Sequence, residues 1–77
     1  MEIKVLGPGC TKCKTAYETV ARVVNTHNID ATITKVDDIM EIMNYNIMST
    51  PAIVIDGVVK IKGRVPSESE IKELLGL

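Results

Sequence analysis

Apolar and polar positions along the chain predict four strands. The two kinds of residue alternate over residues 2–6 and again over residues 29–36, a period of two that is typical of strands with one buried face. A short, β-branched run at residues 52–55 predicts a more fully buried strand. Asp56-Gly57 follows at once and is a strong signal for a two-residue hairpin, so residues 58–62 are predicted to return as an antiparallel strand.

The spacing of apolar residues changes to a helical period between and after these strands. It predicts one long helix over about residues 11–27. A short helix is predicted to follow the second strand, capped by Asp37 or Asp38. A last helix is predicted to begin at Ser67, which has capping-box spacing with Glu70. Three methionines in and after the short helix are interpreted as core-filling residues rather than soft-metal ligands: Met40, Met43 and Met48.

The predicted order of elements is β-α-β-α-β-β-α. A helix joins the first two strands, which therefore run parallel, and the hairpin makes the last two antiparallel. A chain of 77 residues has room for one modest core. We therefore expect a single α/β domain over residues 1–77, with a four-stranded mixed sheet flanked by three helices.

Charge and composition narrow the range of partners. The net charge is −1 and both signs are mixed along the chain, which argues against nucleic acid or a membrane surface as a partner. Only Tyr17 and Tyr45 are aromatic, and no cofactor is expected.

The start of the chain lacks a leader pattern, and no apolar stretch approaches the length of about 18 residues that a membrane span needs. We expect a cytoplasmic protein, and nothing in the sequence demands a dimer, so a monomer is predicted.

The segment Cys10-Thr11-Lys12-Cys13 lies where the first strand gives way to the long helix. Two cysteines three apart at the start of a helix share one turn, so their sulfur atoms can come close enough to bond. The free N–H groups and the dipole of the helix stabilise a thiolate at its start. Thiols in such motifs have pKa values of roughly 3.5–7.5, against about 8.5 for a free thiol. We therefore predict a redox dithiol in which Thr11 and Lys12 modulate the pKa of Cys10.

A second motif, Thr50-Pro51, stands directly before the third predicted strand. With both motifs in this order, the chain resembles the thioredoxin-fold family, and most of all the small redox-active disulfide proteins of archaea and bacteria, which are of glutaredoxin size. The resemblance implies a cis peptide bond before Pro51 and a substrate-binding role for Thr50 and Pro51. It also implies dithiol–disulfide exchange in cell redox homeostasis, with Cys10 as the nucleophile and Cys13 as the resolving cysteine.

The resemblance also bears on the reductant. Residues 63–67 lack the Gly-Gly and paired-acid pattern with which glutaredoxins hold glutathione, although Arg64 or Lys12 could still meet a carboxylate. An NADPH-linked reductase of the thioredoxin-reductase type is therefore the expected partner, with protein or small-molecule disulfides as substrates. The first strand offers only Glu2 and Lys4 as ionisable groups, so the buried acid of thioredoxins has no clear counterpart.

The same cysteine pair permits a different class of function. A soft-metal (copper) chaperone of the ferredoxin-like type also carries Cys-x-x-Cys after its first strand, and two thiolates can hold Cu(I). That family would place methionine where Pro8 stands and would follow the order β-α-β-β-α-β. A zinc site normally needs four ligands, so no structural metal is expected. A thiol-bearing binding module that turns over no disulfide is a third alternative.

Overall fold

The elements of secondary structure follow one another in the predicted order. The computed structural model describes residues 1–9 and 11–77, and Cys10 lies outside them. Within the described residues the elements are β1 (Glu2–Leu6), α1 (Thr11–Thr26), β2 (Thr32–Val36), α2 (Ile39–Asn44), β3 (Ala52–Ile55), β4 (Val58–Lys62) and α3 (Glu68–Leu74). In this part of the chain no helix has the length and apolar character needed to cross a bilayer.

The four strands form one mixed sheet in the order β2-β1-β3-β4. β1 is parallel to β2 and antiparallel to β3, and β4 returns antiparallel to β3, as predicted. At the end of β1, Leu6 pairs with Val36 on one side and with Ala52 on the other. The loop that leaves β1 therefore lies beside the end of β2 and beside the loop that enters β3.

The sheet has a buried cluster on each face. The larger cluster packs the sheet against α1 and α3 and is built from Ile3, Val5, Ala16, Val20, Val23, Val24, Ile53, Ile55, Ile61 and Ile71. The smaller cluster lies on the side of α2 and consists of Leu6, Val36, Ile42, Ile47, Ala52 and Val54. α2 has six residues, and Ile42 is its only buried side chain. This face of the sheet is therefore covered by much less structure than the other.

The second strand begins at Thr32, three residues later than the alternation predicts. The preceding residues serve to end α1: Asn28 takes a φ of 53°, and the N–H of Ile29 donates to the carbonyl of Val24 at 3.0 Å. β1 itself starts at Glu2, which is the partner of Thr32 in the sheet. Residues 29–31 continue the alternation but have no neighbouring strand to pair with, so they are not part of β2.

The predicted hairpin turn after β3 and the predicted N-terminal cap of α2 both form. Asp56 and Gly57 have φ angles of 48° and 84°, the left-handed pair that a tight hairpin requires. The N–H of Glu2 donates to Oδ1 of Asp56 at 2.8 Å, which ties the hairpin to the start of β1. Asp38, not Asp37, caps α2 by accepting from the N–H of Met40 at 2.9 Å.

The prediction that Met40, Met43 and Met48 fill the core is wrong. Their exposed fractions are 71%, 61% and 100%. α2 has six residues and buries only one side chain, that of Ile42. In the segment after α2, Ile47 rather than a methionine packs into the smaller cluster. These methionines therefore form part of the surface.

Glu70, which takes part in the N-terminal cap of α3, also forms an ion pair with Arg64. Ser67 and Glu70 form the predicted capping box, with the N–H of Glu70 donating to Oγ of Ser67 at 3.2 Å. Arg64 donates from both terminal nitrogens to the two carboxylate oxygens of Glu70, one of these bonds being 2.6 Å long. The Arg64 guanidinium and the N–H of Ser67 together lower the pKa of Glu70 from 4.5 to about 2.

This lowered pKa predicts an acid-sensitive part of the stability. Because the folded state holds Glu70 ionised, the pair stabilises the protein fully above pH 4.5, and the stabilisation is lost as the pH falls towards 2. Urea unfolding between pH 6 and pH 2 should show this loss in the wild-type protein and a smaller one in Glu70→Gln. Parallel pH profiles for the two proteins would contradict the role of the pair.

Candidate functional site

The loop that leads to the cysteine motif and the Thr50-Pro51 segment lie at the same end of the sheet. The N–H of Gly7 donates to the carbonyl of Val36 at 2.8 Å, which holds the loop after β1 against the end of β2. From there the chain continues through Pro8 towards the cysteine pair. Pro8 and Thr50 line the same surface groove. The loop that leads into the cysteine pair therefore lies beside the Thr50-Pro51 segment.

Cys13 lies in the first turn of α1 and is 1% exposed. Its side chain packs directly on Gly7: a Cβ added at Gly7 would lie 2.2 Å from Sγ and 2.7 Å from Cβ of Cys13. Only glycine leaves room for this contact. The sequence pattern ends the first strand just before Gly7 and gives no indication of what this residue will face.

The other residues of the cysteine motif divide into two groups. Thr11 and Lys12 are exposed on the first turn of α1, so both lie at the surface. The predicted nucleophile, Cys10, lies outside the described residues, and α1 begins with the residue that follows it in the sequence. The roles assigned to Cys10, Thr11 and Lys12 stay predictions.

Thr50 and Pro51 enter β3 through a cis peptide bond. Pro51 is buried, and its carbonyl accepts from the N–H of Gly63 at 2.9 Å. Thr50 is half-buried, and within residues 1–9 and 11–77 neither its N–H nor its carbonyl has a backbone partner. Backbone groups in partly buried positions are normally paired, so the backbone of Thr50 is a candidate position for pairing with another chain.

The ionisable residues of β1 do not supply a base to this site. Lys4 Nζ donates to Oη of Tyr45 at 3.2 Å and lies 3.7 Å from a carboxylate oxygen of Glu2. The hydrogen bond to Tyr45, with smaller effects of nearby negative charge, raises the pKa of Lys4. Lys4 is therefore an ammonium at neutral pH and cannot accept a proton, while Glu2 is exposed and faces Lys4.

Arg64 was a sequence candidate for binding a substrate carboxylate. Its guanidinium instead forms the bidentate pair with Glu70 described above. Arg64 therefore binds a carboxylate of the protein itself, that of Glu70.

The groove shared by Pro8 and Thr50 is the part of the site that the sequence did not predict. It has a volume of about 330 Å³ and is otherwise lined by Ile39, Ile42, Met43, Ile47 and Met48. Because the methionines were assigned to the core, no exposed apolar surface was expected here. The alternation and helical spacing carried no signal that could have revealed it.

The observed order of elements differs from the one that the copper-chaperone alternative requires. A ferredoxin-like protein would follow the order β-α-β-β-α-β, whereas this chain follows β-α-β-α-β-β-α. The fold that this alternative requires is therefore not the one observed. Among the residues that the structure describes, no three His, Cys, Asp or Glu side chains form a group that could hold a metal ion.

Comparison with known proteins gives one family over nearly the whole chain. A family model described as "Thioredoxin domain" matches residues 1–76. A protein named Thioredoxin from Methanocaldococcus jannaschii is 42% identical over 73 residues, which cover 95% of this chain and 84% of that protein. A second, also named Thioredoxin, from Methanothermobacter thermautotrophicus is 33% identical over 75 residues, covering 97% of each chain.

Proposed function

The chain belongs to the thioredoxin family, and on that premise we propose that it is a thiol–disulfide oxidoreductase working by dithiol–disulfide exchange through Cys10 and Cys13. Proteins of this family act on disulfides and are served by reductases. The observation that carries the proposal is the placement of Cys13, which is buried against Gly7 at the start of α1, while Pro8 of the same loop lines a groove with Thr50.

The reaction proceeds in two exchanges. The Cys10 thiolate attacks one sulfur of a substrate disulfide; that disulfide bond breaks, a mixed disulfide with Cys10 forms, and the first substrate thiol leaves. Cys13, as a thiolate, then attacks the sulfur of Cys10, and the second substrate thiol leaves. Two electrons pass from the dithiol to the substrate. The burial of Cys13 supports its role as the resolving cysteine, because a protein disulfide cannot reach a side chain that is 1% exposed.

Thr50 is proposed to hold the substrate during the first exchange. An extended peptide can pair with exposed backbone groups as an added strand would. This role is supported by the N–H and carbonyl of Thr50, which have no backbone partner among the described residues, and by the groove that Thr50 lines together with Pro8, two residues before Cys10 in the sequence.

The proposed reductant is an NADPH-linked reductase of the thioredoxin-reductase type. Glutathione carries two carboxylates and would need cations to bind it. Support for such a reductase over glutathione comes from Arg64, which is paired with Glu70, and from the groove, whose described lining contains no charged residue. We also propose that residues 1–77 form a single thioredoxin-like domain, since the family model matches almost this whole length.

A redox titration tests the proposal directly. The protein is equilibrated in buffers of defined thiol–disulfide ratio, and the fraction of reduced cysteines is read by alkylation and mass spectrometry. We expect one reversible two-electron transition at a potential within about −120 to −270 mV, the span of known members of this fold. Thioredoxin reductase with NADPH should then reduce the oxidised protein, and glutathione should do so poorly.

Two results would contradict the proposal. The first is the absence of a reversible transition between dithiol and disulfide. The second is stoichiometric binding of Cu(I) by a protein that reduces no disulfide, which would favour the metal-chaperone alternative.

A further inference from the structure

Three methionine side chains that the core does not use lie at the surface in and after α2. Met40 and Met43 are 71% and 61% exposed on this helix, and Met48, in the segment that follows it, is 100% exposed. The sequence favoured a core-filling role over soft-metal ligation for all three. Because they do not fill the core, that reason for setting aside a ligand role no longer holds, and their thioether groups are accessible to a solute.

Met43 and Met48 line the same two depressions. Both border the groove of about 330 Å³ described above, and both border an adjoining depression of about 300 Å³. The chain turns between them: the N–H of Asn46 donates to the carbonyl of Met43 at 2.9 Å, and Asn46 takes a left-handed φ of 59°. A methionine side chain is unbranched and has three rotatable bonds. The two sulfur atoms can therefore converge on one small ion in the space that both side chains border.

The lining of these depressions favours a soft cation over a hard one. Thioether sulfur is a soft, neutral ligand that suits Cu(I), and Ag(I) has the same closed-shell configuration. Magnesium and calcium take oxygen ligands, mainly carboxylates, and zinc takes thiolate, imidazole or carboxylate. None of the described residues that line the two depressions is a carboxylate, a histidine or a cysteine. Divalent ions therefore find no suitable set of ligands there.

We propose that Met43 and Met48 form a thioether site for a soft monovalent cation, with Cu(I) as the biological ion and Ag(I) as its experimental substitute. Two sulfur ligands suffice to hold Cu(I). The site uses neither Cys10 nor Cys13, so it differs from the cysteine-pair site of a copper chaperone. It also does not depend on disulfide exchange, because its ligands are the same whether the dithiol is oxidised or reduced.

Metal binding in a protein without thiols tests the site. In Cys10→Ala/Cys13→Ala the four methionines are the only residues that contain sulfur. Isotope labelling of the methionine methyl groups gives one NMR signal for each of them. We expect Ag(I) to shift the signals of Met43 and Met48 selectively and to leave those of Met1 and Met40 unchanged. Competition with bicinchoninate in the presence of ascorbate measures the affinity for Cu(I) itself.

Leucine substitutions separate coordination by sulfur from apolar packing, because leucine conserves volume and apolar character but carries no thioether. Met43→Leu and Met48→Leu, made in the thiol-free protein, should each weaken Cu(I) binding about tenfold or more. Loss of a group that merely supports a metal ligand already costs roughly 10- to 100-fold in affinity. Met40→Leu is the matched control: Met40 lies on the same helix and is 71% exposed but lines neither depression, so its loss should leave the affinity unchanged.

Three results would overturn the proposal: no binding of Ag(I) by the thiol-free protein, equal shifts of all four methionine signals, or an equal loss of affinity in Met40→Leu and Met43→Leu. The wild-type protein provides a reading that does not depend on how the thiol-free variant folds. Once its thiols are saturated with Ag(I), further Ag(I) should shift the same two methyl signals, and an absence of that shift also contradicts the site. Neither measurement involves disulfide exchange, so failure of the metal site leaves the proposed function standing, and the reverse holds equally.

Discussion

Replacing Cys13 with serine should leave the protein able to attack a disulfide but unable to release the product. The first exchange needs only the Cys10 thiolate, so the mixed disulfide forms as before. The second exchange needs a thiolate in the adjacent turn, and a serine hydroxyl cannot take its place. Turnover should fall to the uncatalysed level while a covalent adduct with substrate accumulates. Intact-mass measurement and a non-reducing gel would both detect this adduct.

Two further variants test which cysteine is the nucleophile and which is the resolving cysteine. Cys10→Ser should form no adduct, because the remaining Cys13 is buried and out of reach of a protein disulfide. Glu18→Gln, a change at an exposed position further along α1 and outside the motif, should turn over normally. If Cys10→Ser trapped substrate and Cys13→Ser did not, the two roles would have to be exchanged.

Gly7→Ala should both destabilise the protein and impair the second exchange. The new Cβ would lie 2.2 Å from Sγ of Cys13, closer than any real contact, so either the loop or Cys13 has to move. Overpacking of this kind costs about 1–3 kcal/mol in the free energy of unfolding. Displacing Sγ also spoils the alignment needed to attack Cys10. Urea unfolding and stopped-flow kinetics of mixed-disulfide decay would measure the two effects.

A double-mutant cycle with Cys13→Ala under reducing conditions tests the cause. That change removes the 2.2 Å contact and leaves the one at 2.7 Å, so Gly7→Ala should cost less in this background than in the wild-type protein. Gly9→Ala is the control in the same loop: its φ is +86°, and a Cβ there meets none of the described residues within 4 Å. Its cost, of roughly 1–2 kcal/mol, arises from backbone strain alone and should not depend on Cys13. An equal cost of Gly7→Ala in both backgrounds would contradict the packing argument.

The sequence determined those features that depend on residues close together along the chain. Asp56 and Gly57 form the hairpin turn, and Ser67 and Glu70 cap the last helix, because the interacting groups are within a few residues of each other. The order of elements, and with it the family, followed from the same local patterns. The single strand boundary that moved, at Thr32, depended on the length of the neighbouring strand rather than on local alternation.

Only the tertiary structure decided which side chains the elements leave exposed and which residues meet across the sheet. The helical spacing of α2 gave no information on how little of the sheet this helix covers, so the exposure of Met43 and Met48 could not be predicted. The contact between Gly7 and Cys13 depends on how closely α1 approaches the end of β1. Burial and contact are properties of packed elements, whereas periodicity and capping are properties of the chain. For that reason the sequence indicated the dithiol, and packing alone defined the surface beside it.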